Sequence, residues 1–401
     1  MRKSKEIVAG YVKKGFEPVK QEFLKNFESR DEVGAACSIY YKGEKVVDLW
    51  GGSKDKDSAW QEDTMALIFS ASKGLASMVF AKLHSMSLLD YDEKVSTYWP
   101  EFSAFNKQDI TIRQLLSHQA GLVISKEKLP IERLDDFDFV QQVISQIKPS
   151  WNPGDYQGYQ AGTIGFFMGE IVRRVDLKHR SLGQFFRDEI AKPLQLESYI
   201  GLPDTVKDTR VAQTIMIKPL KAIINLHKMP KPMRKALVNP FSLFMKSTSI
   251  VKGYNPNKRE TWKVEQPSGN AITTARSLAY AYSVFANNGK ELNLSKSTLK
   301  QLNLPPEQVK KSTKDQVIFL DTRYGLGFMK PDPTFTFSPN PNAFGFLGAT
   351  GSFAFADENG QIGYAYLTRK MGYYGINDPK EANVRHQMYQ CIAKLKNSKE
   401  E

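Results

Sequence analysis

The chain of 401 residues is long enough for more than one hydrophobic core, because single cores stop growing at about 250–300 residues. Its 41% hydrophobic and 25% charged residues are typical of a globular protein, and no run of about 18 apolar residues predicts a membrane span. Two cysteines, Cys37 and Cys391, exclude a disulfide framework, and the basic start lacks the apolar core of a signal peptide, so we expect a reduced, cytoplasmic setting.

The first predicted element is a β-hairpin. The stretch "AACSIYYKGEKVVDLWGG" contains two β-rich runs, 35–41 and 45–50, separated by a Lys-Gly-Glu turn. Gly51 and Gly52 close the second run, and no helix follows them, so they do not indicate a phosphate-binding loop.

The next predicted element is a helix that begins close to a serine. In "MALIFSASKGLASMVFAKL", residues 65–83, an apolar run changes to helical periodicity near Ser70, and Lys73 follows one helical turn later. That spacing would bring an amine beside a hydroxyl, as a serine nucleophile and its base require. The Ser-x-x-Lys pattern alone is not specific, because it also begins at residues 53, 125, 145, 249 and 297. Ser70 or Ser72 as a helix cap is the structural alternative.

The middle of the chain has mostly helical periodicity, and one part of it is strongly basic. Between Val211 and Arg259 there is no Asp or Glu, whereas ten Lys and Arg residues of a chain with net charge +13 lie there. Apolar residues alternate with these cations, which favours a solvated insertion, a substrate lid or a membrane-surface patch over a nucleic-acid groove. We therefore predict a basic apolar insertion at about 211–259 and no nucleic-acid partner.

A second hairpin and a helix are predicted near the C-terminus. In "GSFAFADENGQIGYAYLTRKM" the turn is Asp-Glu-Asn-Gly, and the helical stretch "PKEANVRHQMYQCIAKLK" follows. Strands at both ends of the chain predict an α+β fold with one domain built from residues 1–70 and 315–401. Residues 71–314 would form an inserted, mostly helical domain.

Several sequence blocks, taken together and in this order, resemble one known family. They are "IFSASKGLAS", "LLDYDEKVSTYWPEF", "ITIRQLLSHQAGL", "WNPGDYQGYQAGTIGFFMGEIVRR", "PSGNAITTARSLA" and "FGFLGATGSFAFAD". The chain is similar to the serine β-lactamase-like superfamily, in particular to its class C and penicillin-binding-protein-like esterase branch. The resemblance implies a β-lactamase/transpeptidase-like fold, with an antiparallel sheet flanked by helices.

The resemblance also implies a catalytic set. Ser70 would be the nucleophile, Lys73 its base, and Tyr159, rather than Tyr156, the second acid/base, with a phenol pKa lowered by Lys73. Ala161 stands where the family usually has an amide side chain. The N–H groups of Ser70 and Ala349 would form the oxyanion hole.

The third motif departs from the family pattern. Phe346-Leu347-Gly348 stands where Lys-Thr-Gly or His-x-Gly is usual, so the cation that binds a substrate carboxylate is missing. We expect Phe346 and Gly348 to line a substrate pocket for an apolar group. Two competing motifs, Ser268-Gly269-Asn270 and the histidine His118, are interpreted as structural.

The sequence therefore predicts a serine hydrolase, and in particular a carboxylesterase that acts on small or medium esters through an acyl-enzyme. The alternatives are a catalytically weak scaffold of the same fold and a peptidase or β-lactamase. The expected partner is a small-molecule ester or amide, with lipid or membrane-surface contact through residues 211–259. Histidine and cysteine spacings imply no metal, and no cofactor is expected.

Overall fold

The computed structural model describes residues 7–398 of the chain. The strands are β1 (Val8–Val12), β2 (Gly34–Tyr41), β3 (Glu44–Gly52), β4 (Ala66–Leu67), β5 (Leu129–Pro130), β6 (Ser198–Tyr199), β7 (Val251–Lys252), β8 (Ile272–Thr273), β9 (Tyr324–Gly325), β10 (Phe328–Met329), β11 (Phe344–Leu347), β12 (Phe353–Asp357) and β13 (Ile362–Thr368). The helices are α1 (Glu17–Ser29), α2 (Ser72–Ser85), α3 (Val95–Tyr98), α4 (Ile112–Leu116), α5 (Phe137–Ser145), α6 (Ile164–Val175), α7 (Leu182–Phe186), α8 (Pro219–Ile224), α9 (Lys231–Val238), α10 (Leu243–Thr248), α11 (Arg259–Lys263), α12 (Ala275–Ala286), α13 (Lys296–Leu302) and α14 (Pro379–Asn397).

An eight-stranded antiparallel sheet joins the two ends of the chain, in the order β1-β3-β2-β13-β12-β11-β10-β9. Both predicted hairpins are confirmed, and β2 pairs directly with β13. Lys42 and Gly43 connect β2 to β3, both with positive φ (54° and 78°), as a two-residue type I′ turn requires. The N-terminal and C-terminal hairpins therefore form one sheet, as the sequence predicts.

Helices cover both faces of this sheet. Side chains along β12 and β13 point alternately to the two faces of the sheet. The aromatic ones, such as Phe353 and Tyr364, face the core beneath α1 and α14. The opposite face carries small residues, among them Ala354 and Ala365, and α12 packs closely upon it. Gly363 permits this approach, because a Cβ there would lie 2.4 Å from the carbonyl oxygen of Ala279.

The remaining helices pack around α2 and α6 in a core that also includes the alanine-rich face of the sheet. The helix α12 lies within the segment that the sequence assigns to the helical domain, yet it packs on β13 and β2. The division of the chain at residues 70 and 314 remains a prediction, with α12 shared by both parts.

The basic segment forms short helices, α8 to α10, rather than a long one. Several large apolar residues of this segment are exposed, for example Leu220 of α8 and Phe241 between α9 and α10. Among residues 7–398, no helix combines the length and the hydropathy needed to cross a bilayer.

Candidate active site

Ser70 lies at a sharp turn between β4 and α2. The preceding Phe69 has a φ of 47°, which is rare for a bulky residue and costs conformational energy. The Oγ of Ser72 donates to the Phe69 carbonyl and accepts from the N–H of Ala271 at 2.9 Å, so it fixes the turn from two sides. The alternative that Ser70 or Ser72 caps the helix is wrong, because no side chain caps α2. The partly exposed Ser70 instead makes its side-chain contacts with Lys73 and Tyr159.

Lys73 lies on the first turn of α2 and is only 1% exposed. Its Nζ is 3.3 Å from the Oγ of Ser70 and 3.1 Å from the hydroxyl of Tyr159. It also donates to the carbonyl oxygens of Ala161 and Ser268, each at 2.9 Å. Burial lowers the pKa of the Lys73 amine well below its usual value of 10.5.

These contacts match the valence of an uncharged amine. A neutral amine has two N–H groups and one lone pair, and the two carbonyls take both N–H groups. The lone pair then remains for the hydroxyl of Ser70, 3.3 Å away, because the hydroxyl of Tyr159 already donates its hydrogen to the Oγ of Ser70. The geometry therefore presents Lys73 to Ser70 as a proton acceptor.

Tyr159 completes the group, with its hydroxyl donating to the Oγ of Ser70 at 2.6 Å. The sequence-based expectation that Lys73 lowers the pKa of this phenol is wrong. Burial raises the pKa of Tyr159 above its usual value, and an uncharged Lys73 exerts no opposing field. Tyr159 is therefore a neutral donor beside Ser70, not a phenolate.

Two buried polar groups hold Tyr159 in place from behind. Its N–H donates to the Oδ2 of Asp315 at 3.0 Å, and its ring lies edge-on to His118, with centroids 5.5 Å apart. The Nδ1 of His118 accepts from the N–H of Gln160 at 3.1 Å, and burial lowers the pKa of this imidazole. His118 thus bonds the loop after Tyr159 and makes no contact with Ser70, in agreement with its predicted structural role.

The predicted oxyanion hole lies where β11 ends beside the turn of Ser70. Within residues 7–398, the N–H groups of Ser70 and Ala349 have no hydrogen-bond acceptor. Gly348 brings the two segments together, because a Cβ at this position would lie 2.2 Å from the carbonyl oxygen of Ile68. Ala349 is exposed and Ser70 is partly exposed, so both residues lie at the protein surface.

The two residues predicted to line the substrate pocket have other positions. Phe346 is only 1% exposed, and its ring packs against Tyr159 (centroids 6.2 Å apart) and lies 5.5 Å from the Nζ of Lys73. Gly348 is buried against Ile68. Both assignments are therefore corrected: Phe346 shields the amine from water, and Gly348 permits a close approach of two backbone segments.

The side chains of the competing motif Ser268-Gly269-Asn270 have structural roles, because their hydrogen bonds hold neighbouring backbone segments. The Oγ of Ser268 donates to the carbonyl of Gly162, and the amide of Asn270 donates to the carbonyls of Thr261 and Val264. Thr274, not this motif, caps α12.

Sequence reasoning missed the groups that position Lys73 and Tyr159. The carbonyls of Ala161 and Ser268 act through the backbone, so their side chains give no signal. Asp315 is one acidic residue among many, and only the tertiary structure shows that it is buried behind Tyr159. In the described part of the chain, no cluster of His, Cys, Asp and Glu has a geometry that could hold a metal ion.

Comparison with known proteins adds independent information. The family model described as Beta-lactamase matches residues 17–387. One relative, the "Esterase/beta-lactamase LipL" of Mycobacterium tuberculosis, is 29% identical over 368 residues, which are 89% of this chain and 81% of that protein.

Solved structures resemble the whole fold. The chain is similar to a family VIII carboxylesterase (TM-score 0.81, 32% identity, 96% of this chain and 99% of that chain). It is also similar to a penicillin-binding protein homologue from Caulobacter crescentus (TM-score 0.82, 30% identity, 96% and 99%). These likenesses confirm the predicted β-lactamase/transpeptidase-like fold and the predicted class of enzyme, a serine hydrolase. Since the family model covers nearly the full length, the chain belongs to the β-lactamase family.

Proposed function

We propose that the protein is a carboxylesterase that cleaves small or medium esters through an acyl-enzyme on Ser70. The observation that supports this most strongly is the convergence of Lys73 and Tyr159 on one partly exposed hydroxyl, with the lone pair of Lys73 free to accept a proton. A serine becomes a nucleophile only when such a base takes its proton.

In the acylation step, the Oγ of Ser70 attacks the ester carbonyl and its proton passes to the Nζ of Lys73. The N–H groups of Ser70 and Ala349 stabilise the negative charge that develops on the carbonyl oxygen. When the tetrahedral intermediate collapses, Tyr159 donates its proton to the leaving alkoxide and takes a proton from the Lys73 ammonium. The alcohol leaves, and both groups regain their starting states.

Deacylation uses the same groups in reverse. A water molecule in the place of the departed alcohol attacks the acyl carbonyl, its proton passing to Tyr159 as Tyr159 passes one to Lys73. Collapse of this second intermediate breaks the bond to Ser70, whose Oγ recovers the proton from Lys73. The products are the carboxylic acid and the free enzyme.

The altered second and third motifs favour esters over β-lactams. Phe346 occupies the place of the usual cation, so a substrate carboxylate has no charged partner there. Ala161 offers only a methyl group where an amide would orient an amide or lactam substrate. An ester without a carboxylate needs no charged partner there, and Tyr159 can protonate its leaving oxygen.

The proposal is tested by fluorophosphonate labelling and by hydrolysis of a p-nitrophenyl ester series beside nitrocefin. We expect labelling at Ser70 and turnover of esters, both abolished by Ser70→Ala. Ser297→Ala is a matched control, because Ser297 also begins a Ser-x-x-Lys pattern but is exposed on α13. An unlabelled wild type would favour a scaffold, and a preference for nitrocefin would favour a β-lactamase.

A further inference from the structure

The segment 215–241, called the platform below, is unusually apolar on its outside. Seven of the twelve strongly exposed large apolar side chains of residues 7–398 belong to it. The most exposed of them are Leu220 (69%), Ile223 (70%), Ile224 (64%), Val238 (62%) and Phe241 (78%). Such a concentration of apolar surface is typical of an interaction site.

The platform is also basic. Its cations are Lys218, Lys221, Lys228, Lys231, Arg234 and Lys235. None of the six pairs with a carboxylate in the part of the chain that the structure describes, and the platform itself contains no Asp or Glu. The lysines are exposed beside the apolar residues, so one surface presents both.

This combination fits an anionic bilayer better than a protein partner. Protein interfaces are depleted in lysine, whereas membrane-surface segments combine lysines with inserted apolar side chains. A symmetric contact with a second copy would bring the same lysines face to face, and like charges oppose such an association. Anionic headgroups satisfy the cations while the acyl region accepts the apolar side chains.

The inner side of the platform leads towards the active site. Met233 of α9 belongs to a partly buried apolar cluster that also contains Phe244 of α10, Trp151 and Tyr159. Since Tyr159 contacts Ser70, this packed apolar cluster connects the platform to the nucleophile. An acyl chain is the kind of ligand whose chemistry matches these apolar side chains.

We propose that the platform docks the protein on an anionic lipid surface and that lipid-borne acyl esters reach Ser70 from there. The choice of substrate rests on the esterase function proposed above, whereas the docking does not. The cations set the preference for anionic lipid, and the apolar side chains of α8 supply the insertion.

The test is flotation of the full chain with vesicles of phosphatidylcholine, alone or mixed with phosphatidylserine. We expect wild type and Ser70→Ala to bind the mixed vesicles equally, to bind phosphatidylcholine weakly, and to be released by salt. Since each lysine near an anionic surface contributes about fivefold to binding, Lys218→Glu combined with Lys221→Glu should weaken it about 20-fold or more. Leu220→Ser combined with Ile223→Ser should also weaken binding strongly, because α8 loses two of its most exposed apolar side chains.

Leu177→Ser combined with Lys178→Glu is the matched control, since these residues form an exposed apolar and basic pair outside the platform. Equal binding to both vesicle types, an equal loss in this control, or a dimer that the α8 variants dissolve would overturn the proposal. The α8 variants should lose hydrolysis of long-chain esters in vesicles but keep hydrolysis of soluble p-nitrophenyl acetate.

The two proposals fail in different ways. If the wild-type protein hydrolyses soluble esters but does not bind vesicles, only the proposed docking on lipid is contradicted. Vesicle binding with ester hydrolysis that survives Ser70→Ala contradicts only the assigned nucleophile.

Discussion

Lys73 keeps its amine in the protein interior, where two of its hydrogen bonds are directed to backbone carbonyls. Within residues 7–398 no carboxylate bonds to this amine, and burial lowers its pKa by disfavouring the charged form. Phe346, which packs above it, keeps water away from the amine. At this position a residue that is normally cationic is prepared to act as a base.

Replacing Lys73 separates a role as base from a role as positive charge. Lys73→Met and Lys73→Arg should both lower kcat by about 10²–10⁴-fold, because neither side chain can take a proton at neutral pH. Steady-state kinetics on a soluble ester measure this effect. Substantial activity in Lys73→Arg would show that a fixed positive charge is sufficient and would contradict the proposed proton transfer.

The pH dependence of the wild type follows from the same group. Activity requires the neutral amine, so kcat/KM should be constant at high pH and fall as pH decreases through the pKa of Lys73. Because burial lowers that pKa, the fall should occur well below pH 10.5. An acid limb near the usual lysine pKa, measured with an uncharged ester, would mean that the amine is charged in the free enzyme.

Tyr159 can be tested against a neighbour of the same type. Tyr159→Phe removes the hydroxyl that donates to Ser70, and we expect kcat to fall by about 10²–10³-fold through loss of the acid. Tyr156→Phe should have little effect, because Tyr156 packs beneath Lys311 and makes no bond to Ser70. Equal effects of the two substitutions on kcat would contradict the proposed role of Tyr159 as the general acid.

At the scale of elements, the end of β11 positions one half of the proposed oxyanion hole. Gly348→Ala would place a Cβ 2.2 Å from the Ile68 carbonyl, so β11 must move and carry the Ala349 N–H away from Ser70. Loss of one such donor lowers kcat by about 10²–10³-fold, and we expect that loss with a smaller change in KM.

Gly169→Ala is the control for this substitution. It lies in α6, where an added Cβ meets nothing within 4 Å, and alanine should stabilise the helix by about 0.5–1 kcal/mol. Thermal unfolding of both variants shows whether Gly348→Ala remains folded. A folded Gly348→Ala enzyme with wild-type kcat would contradict the oxyanion hole.

The elements show what the sequence could and could not predict. Local signals were sufficient for the two hairpins and for the C-terminal helix, because turn residues and side-chain periodicity act over short distances. The order of the family-like sequence blocks points to Ser70, Lys73 and Tyr159 as the candidate catalytic residues. The position of Phe346 was missed because a strand residue can face either a cleft or the core, and only its pairing and neighbours decide between them.

At the scale of the whole molecule, two hydrophobic cores lie on opposite faces of one sheet. The core beneath α12 contains residues of the helical middle, such as Leu75 and Phe80, together with Ala354 and Ala365 of the sheet. Neither the sheet nor the helical part buries its apolar surface without the other. The candidate active site lies at this junction, since Ser70 lies in the turn just before the helix α2 and Ala349 follows the strand β11.

A shared core predicts that the sheet and the helical part unfold together. Gly363→Ala would place a Cβ 2.4 Å from both the Ala279 carbonyl oxygen and the Ser283 nitrogen, which forces α12 away from β13. We expect the variant to lose about 1–3 kcal/mol of stability, with Gly169→Ala as control, and still to unfold in one transition. Far-UV circular dichroism and tryptophan fluorescence should give the same midpoint. Two separated transitions would instead show that the parts divided at residues 70 and 314 are independent domains.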